Sequence, residues 1–451
     1  MTQTYDVAII GAGVVGCAIA RRLTLDGARV VVLEKGADIL DGASKANSAI
    51  LHTGFDAPEG SVELACIQEG HREYETLRAG MNLPLDRCGA LVLAWTKEQE
   101  ARLPALIAHA RANGVDDVVP LGRAEVLALE PNLNSTLRAG FRVPGESLVD
   151  PWSAPHGYLL HALLNGADLE RSCEVQGGTF DGDRWTLATS KGPVAARHVV
   201  NAAGLYGDRI DQMLLGEAHF TIRPRKGQFV VYDKRAARLA RHILLPVPTD
   251  KTKGIVVCRT IWGNLLVGPT AEDQDDRETA ALDAPTLKML DAKGAEILPA
   301  LADEEVTTIY AGLRPASEFK DYQLRTHEGR NMITVGGIRS TGLSAALGLA
   351  AHVGRTLAGE YQALPDPTIP RMAMLAEDQT RDWQLPGNDG VLCHCEKVTF
   401  REARAALTGP LAPQSFAGFK RRTRATMGRC QGFYCGQAVQ DLLDSEGPGH
   451  D

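Results

Sequence analysis

"YDVAIIGAGVVGCAIARRLTLDGARVVVLEKG", residues 5–36, reads as a strand, a glycine turn, an amphipathic helix and a second strand. Val7 to Ile10 is the short apolar run that a buried parallel strand requires. Val14 to Leu25 keeps its apolar residues on a helical period, and Arg29 to Leu33 returns as a strand. Gly11, Gly13 and Gly16 set G-x-G-x-x-G at the turn, and Glu34 ends the second strand eighteen residues after Gly16. Gly11 makes the turn, Gly13 lets the backbone approach a pyrophosphate, and Gly16 lets the helix pack close to the strand. The helix start offers N–H groups and a partial positive charge to the phosphates. Glu34 can accept hydrogen bonds from both ribose hydroxyls and would repel a 2′-phosphate, which disfavours an NADP-type ligand. The motif alone is weak, and a glycine turn in an ordinary α/β core is the alternative reading.

The chain has 451 residues, room for two or three domains. Apolar residues at 44% and charged residues at 23% suit a soluble globular protein rather than a disordered one. A net charge of −8 argues against nucleic-acid binding by the chain as a whole. No apolar run approaches the roughly 18–20 residues of a membrane span. "MTQTYDVAII" passes straight into a strand, with no basic segment or cleavage site, so secretion is not expected. Nine cysteines, an odd number, read as reduced thiols of a cytoplasmic protein.

Three further segments favour a flavin over NAD. "DGASKANSAILHTG" (41–54) is small and polar, and can wrap a pyrophosphate and an isoalloxazine. "ARHVVNAAGLYGD" (196–208) is a buried strand ending in a small-residue turn at Ala202, Ala203 and Gly204. "NMITVGGIRSTGLSAALGLAAHVGRTLAG" (331–359) is a strand, a glycine turn and a long small-residue helix. The start of that helix can point its dipole at the flavin edge that gathers negative charge on reduction.

With these residues in place, the chain resembles the FAD-dependent oxidoreductases of the D-amino-acid-oxidase and glycerol-3-phosphate-dehydrogenase superfamily over about residues 5–360. "IIGAGVVG…VVLEKG", "VVNAAGLYGD", "RPRKGQFVVYD", "GLRPAS" and "GIRSTGLSAA" carry the resemblance. It implies an α/β FAD-binding Rossmann-like domain interleaved with an α+β substrate domain on an antiparallel sheet. The expected FAD domain is 1–75, 150–215 and 310–362, and the substrate domain is 76–149 and 216–309. The β-like alternation of "CGALVLAWT" and "GQFVVYDKR…GIVVCRTIWGNLLVGPT" suits that sheet. The resemblance implies non-covalent FAD, because the Trp-His pair that attaches flavin in some relatives is absent. It places the cofactor first on Gly11, Gly13, Val15, Gly16, Glu34 and Lys35. It adds Ser44, Asn47 and Ser48 from the second segment, Val175, and then Ala203 and Gly204. The last contributors are Gly337, Arg339, Thr341, Gly342 and Leu343.

After residue 360 a proline-rich stretch, 363–390, reads as a linker on the surface. Beyond it, Cys393 and Cys395 are separated by thirty-four residues from Cys430 and Cys435. A disulfide pair conflicts with the cytoplasm. Structural zinc uses four cysteines, but C-x-C is tight for one zinc. A [2Fe–2S] cluster takes two thiolates on each iron and suits paired ligands. "KRRTRATMGRCQG" resembles the bacterioferritin-associated-ferredoxin-like domain, which implies a small C-terminal α-rich [2Fe–2S] domain at 391–440. Thr426 departs from the resemblance, which more often has glycine there. His394, between two of the ligands, is expected to face solvent. The basic run Lys420, Arg421, Arg422, Arg424 and Arg429 is either a solvated face or a set of charges that tunes the cluster.

A flavin takes two electrons as a hydride and a [2Fe–2S] cluster passes one at a time, so the pair implies a dehydrogenase that hands electrons onward. The expected acceptor is a quinone, a carrier protein or a partner subunit, with the enzyme cytoplasmic or peripheral at the inner membrane. Arg314 in "GLRPAS" stands where the superfamily holds a substrate carboxylate or phosphate, and a bidentate guanidinium suits either anion. Lys226 in "RPRKGQ" is either a flavin or substrate contact or a structural lysine. His52 in "ILHTG" is the candidate base for the hydroxyl proton of an alcohol, with a packed histidine as the plain alternative. The expected substrate is a small anionic alcohol, sn-glycerol 3-phosphate or a 2-hydroxy acid. An amino or imino acid, or a non-catalytic relay subunit, remains as an alternative.

Overall fold

The computed structural model describes residues 4–248 and 254–447. β1 (Thr4–Ile10), α1 (Val14–Leu25) and β2 (Val30–Leu33) form the expected βαβ unit. β1 runs parallel to β2 on one side and to the Gly192–Asn201 strand on the other. Met332–Gly336 and Asp168–Glu170 extend the parallel set outward. All four β2 residues are buried because helices and further strands cover both faces.

The Gly342–Thr356 helix packs on α1 and on α2 (Val62–Met81). Its small residues answer to backbone contact rather than to flexibility. A Cβ on Gly348 would lie 2.2 Å from the Cys66 carbonyl oxygen, and one on Gly70 would lie 2.1 Å from that of Ser344.

A second, nine-stranded sheet contains Ala90–Ala94, Ile222–Tyr232, Val256–Arg259, Leu265–Gly268 and Val306–Ser317. Its neighbours are antiparallel, except that Ile243–Pro246 lies parallel to Ala90–Ala94. Two expected boundaries move. Val306–Ser317 lies wholly in this sheet, so residue 310 falls inside a strand. α2 runs to Met81 against the dinucleotide domain, so residue 75 falls inside a helix. Alternation marks a strand in the sequence but does not say which sheet its edges join.

The 363–390 segment crosses between the two domains. Backbone N–H groups of Leu364 and Met372 donate to carbonyls of Leu25 and Met81, and that of Glu377 donates to Ile261. The C-terminal module pairs Val391–Cys393 with Val398–Thr399 and adds helices at Phe400–Ala406, Phe416–Thr423 and Gly436–Glu446. Leu392, Val398, Phe419, Val439 and Leu442 fill its core. Its last helix reaches Glu446, past the expected end at 440.

Candidate active site and cysteine centre

The glycine turn has the geometry of a nucleotide cradle. Gly11 sits at φ 104° and a Cβ there would lie 2.7 Å from the Ala202 carbonyl oxygen. A Cβ on Gly16 would come to 1.9 Å from the Gly11 carbonyl oxygen, so only glycine fits. Gly13 caps α1 without a side chain, and the Val14 N–H donates to Ser44 Oγ at 3.0 Å. The helix start is thus open to an anion, with the Ser44 hydroxyl beside it. Glu34 accepts from the Ala12 and Gly36 N–H groups, each at 2.7 Å. Burial pushes its pKa up against those two bonds. Each carboxylate oxygen keeps a lone pair for a ribose hydroxyl.

The neighbouring residues close around this cradle. The Cys173 N–H donates to the Glu34 carbonyl at 2.8 Å, which sets Val175 beside the end of β2 in a cluster with Ala203. Lys35 Nζ lies 3.5 Å from the centre of the Tyr206 ring, in the turn that follows Gly204. Asn47 Oδ1 accepts from the Ala49 N–H, and Ser48 is half-buried in the same loop. Val15 and Leu343 pack partly buried against the main core. A glycine turn at Gly337, φ 64°, leads into the Gly342–Thr356 helix. At its start, buried Glu63 accepts from Thr341 Oγ1 at 2.6 Å and faces Arg339 at 3.5 Å. This donor set fits a dinucleotide with a flavin at the far end.

His52 lies against the helix that follows the glycine turn. Its backbone N–H donates to Ser344 Oγ at 2.9 Å, on the helix after the glycine turn. Its Nδ1 lies 2.8 Å from Glu146 Oε2, and Glu146 is fully buried. A carboxylate only accepts, so Nδ1 carries the ring proton in this pair. Glu146 Oε1 accepts from the Thr53 N–H at 2.6 Å and from Thr53 Oγ1 at 2.9 Å, which fixes the carboxylate. Glu146 was not evident in the sequence. It lies 94 residues from His52, and no local pattern links "GES" to "ILHTG".

Arg314 faces the same region. The Ile222–Tyr232 and Val306–Ser317 strands pair with Arg225 opposite Arg314 and Gly227 opposite Gly312. Gly312 lies against Ala46, where a Cβ would come to 2.5 Å from the alanine's Cβ, and Tyr310 Oη donates to the Asn47 carbonyl at 2.8 Å. Residues 44–52, 310–314 and 337–344 therefore converge. The Arg314 guanidinium donates to the carbonyls of Thr270 and Lys226, not to a carboxylate. Burial, then the charge of Arg225, pushes its pKa down to about 10, a cost that an anionic ligand would offset.

Lys226 does not belong to this group. It pairs with Leu313, one residue out of step with Arg314, so its side chain leaves the opposite face of the sheet. There Nζ meets Glu272 at 3.1 Å and the Ala281 carbonyl at 3.0 Å. These contacts favour the structural reading of the two its sequence left open.

The four C-terminal cysteines come together in two pairs, with Cys395 hydrogen-bonded to Cys430 and Cys393 to Cys435. Burial acts to raise the Cys430 thiol. N–H groups of Tyr434, Gly432 and Phe433 and the Cys395 thiol outweigh it and bring the pKa down. Burial and the charge of Cys393 raise Cys435 to about 12, against a hydrogen bond from the Thr426 backbone. Thr426 holds φ 68°, the left-handed region where glycine is at ease, which accounts for the residue expected there. Two thiol pairs with N–H groups aimed at sulfur fit a two-iron cluster. His394 is exposed, as expected. The basic run divides: Arg429 is exposed beside Cys430, whereas most of the rest turns inward. Arg421 and Arg424 are buried, and Arg422 and Arg421 reach Asp38 and Asp41 of the dinucleotide domain.

Residues 6–356 match the model of the FAD dependent oxidoreductase family, and residues 391–445 match the BFD-like [2Fe-2S] binding domain. The chain belongs to the FAD-dependent oxidoreductases and carries a C-terminal [2Fe–2S]-binding domain. A glycerol 3-phosphate dehydrogenase of Caloramator mitchellensis is 31% identical over 98% of this chain and 94% of its own. One subunit of the anaerobic glycerol-3-phosphate dehydrogenase of Escherichia coli is 24% identical over 98% of this chain and 88% of its own. The structure of an FAD-bound L-alpha-glycerophosphate oxidase from Mycoplasma pneumoniae superposes with a TM-score of 0.76. It is 27% identical and covers 82% of this chain and 98% of its own. FAD and the [2Fe–2S] cluster are thus this enzyme's cofactors. Among the described residues no helix is long and apolar enough to cross a membrane.

Proposed function

We propose that the protein is a dehydrogenase of a small anionic alcohol, with sn-glycerol 3-phosphate as the first substrate to test. The His52–Glu146 pair beside the flavin turn carries this reading. Arg314 binds the substrate anion. Nε2 of His52 takes the hydroxyl proton as the carbon gives up its hydride, and Glu146 holds the imidazole and stabilises the charge that forms. FAD supplies the hydride acceptor, and the cluster supplies a one-electron way out. The Glu34, Ser44 and Gly11–Gly16 cradle holds the nucleotide end of FAD, and Cys393, Cys395, Cys430 and Cys435 hold the irons.

The Caloramator mitchellensis dehydrogenase and the Escherichia coli anaerobic dehydrogenase subunit each match 98% of this chain, its C-terminal segment included. The one-electron centre implied by the [2Fe–2S]-binding domain at residues 391–445 supports electron transfer onward rather than to oxygen. We assign the acceptor to a protein partner. Phe433 and Tyr434, between two cysteines, are 84% and 80% exposed, and one full-length relative is named as part of a multi-subunit enzyme.

The test is an anaerobic absorption spectrum before and after adding sn-glycerol 3-phosphate, with 2-hydroxyglutarate and an amino acid in parallel. Bleaching of the flavin by the phosphate is expected. Bleaching by the amino acid alone would overturn the proposal.

A further inference from the structure

The loop that joins Glu34 to Ser44 is gripped by the C-terminal module. Asp38 is 2% exposed. Its carboxylate meets Arg422 Nη2 at 2.7 Å and Nη1 at 3.2 Å, and it accepts from the Gln414 N–H at 3.1 Å. Arg171 Nη1 stands 3.7 Å from it and donates to the Ala412 carbonyl at 2.7 Å. The helix carrying Arg422 approaches so closely that a Cβ on Gly418 would lie 1.7 Å from Asp38 Oδ2. Arg421 donates to the Ile39 carbonyl at 3.1 Å.

The other side of the same loop rests on the cofactor cradle. The Leu40 N–H donates to the Ala12 carbonyl at 3.1 Å, and the Gly36 N–H donates to Glu34 at 2.7 Å. A second grip lies farther along. Trp152 Nε1 donates to the Lys45 carbonyl at 3.3 Å, and the Trp152 ring stacks on Trp262 at 4.8 Å. Arg424 of the module lies 3.9 Å from the centre of the Trp262 ring. The module therefore supports both ends of the segment that sets Glu34 and Ser44.

We propose that the [2Fe–2S] module is a working part of the FAD site: docking of the module and retention of FAD stabilise each other, with Asp38, Arg171 and Arg422 as positioning residues. Without Arg422, Asp38 is a buried carboxylate left with the Gln414 and Ile39 N–H groups and, as its charged partner, the distant Arg171, which favours its turning toward water. The loop then loses the wall that holds it against the Gly11–Gly16 turn. Coupling is reciprocal, so FAD tightens docking by the factor by which docking tightens FAD. The inference rests on the reading that Glu34 and Ser44 hold FAD.

The test uses the full-length holoenzyme and reads FAD release by the fluorescence of freed flavin. Arg422→Ala is expected to raise the FAD dissociation constant by about 5- to 150-fold while cluster absorbance remains. Glu34→Ala checks the underlying reading: if it keeps FAD as tightly as the native enzyme, the cofactor placement fails rather than the coupling. A second measurement needs no variant. Limited proteolysis within 363–390 is expected to slow when FAD is added back to stripped enzyme. Native FAD affinity in an Arg422→Ala protein with its cluster intact would overturn the proposal, as would equal cleavage rates with and without FAD.

Discussion

Replacing Glu146 with Gln tests the assignment of His52 as a base, because it changes charge and acceptor count with little change of shape. Glu146 accepts two hydrogen bonds from Thr53 on one oxygen and one from His52 on the other. A glutamine has one acceptor oxygen and one donor amide. If the amide nitrogen faces Thr53, a buried N–H is set against another, at a cost of about 1–3 kcal/mol. The favoured orientation therefore turns the amide nitrogen toward His52. Nδ1 must then accept, the ring proton moves to Nε2, and Nε2, the proposed base, can no longer take a proton. Base catalysis is worth roughly 10²–10⁴-fold. The rate of anaerobic flavin bleaching by sn-glycerol 3-phosphate should fall at least about 100-fold, or about 2.7 kcal/mol in the barrier. Stopped-flow absorbance reads this directly, and KM should change little because Arg314 is untouched. A folded Glu146→Gln enzyme that bleaches within about threefold of the native rate would refute the reasoning.

Other outcomes follow from the same geometry. Arg314→Lys keeps the charge but removes the planar fork, so KM for the anionic substrate should rise about 10- to 100-fold with a smaller effect on kcat. A loss in kcat with KM unchanged would place Arg314 elsewhere in the reaction. Cys430→Ser should abolish the visible absorbance beyond that of flavin and stop reduction of a one-electron acceptor. Bleaching of the flavin by substrate should survive it, and a failure to bleach would tie the cluster to the chemical step. Gly16→Ala would set a methyl group 1.9 Å from the Gly11 carbonyl oxygen, so the protein should purify largely without FAD. Flavin content measured after denaturation decides it.

Much of this was legible from local pattern. The βαβ unit, its glycines and Glu34 appear in one window of the sequence, because a turn, a helix start and a strand end are set by neighbours along the chain. The four cysteines were legible for the same reason, as two tight pairs. His52 and Arg314 were visible as residue types, but not their surroundings. Lys226 shows the limit: two residues apart on paired strands share a face and one residue does not, and the sequence does not state the register.

The basic run shows it most clearly. Composition left Arg421 and Arg422 as either a solvated face or charges that tune the cluster, since nothing nearby along the chain neutralises them. Their partners, Asp38 and Asp41, lie 380 or more residues upstream, and only docking of the module brings them within reach. Glu146 reaches His52 across 94 residues in the same way. By itself the sequence named the cofactors and the segments proposed to cradle them, because short-range geometry builds such segments. Only the tertiary structure decided which charges meet inside the molecule, because burying a charge requires a partner and that partner can come from any point on the chain.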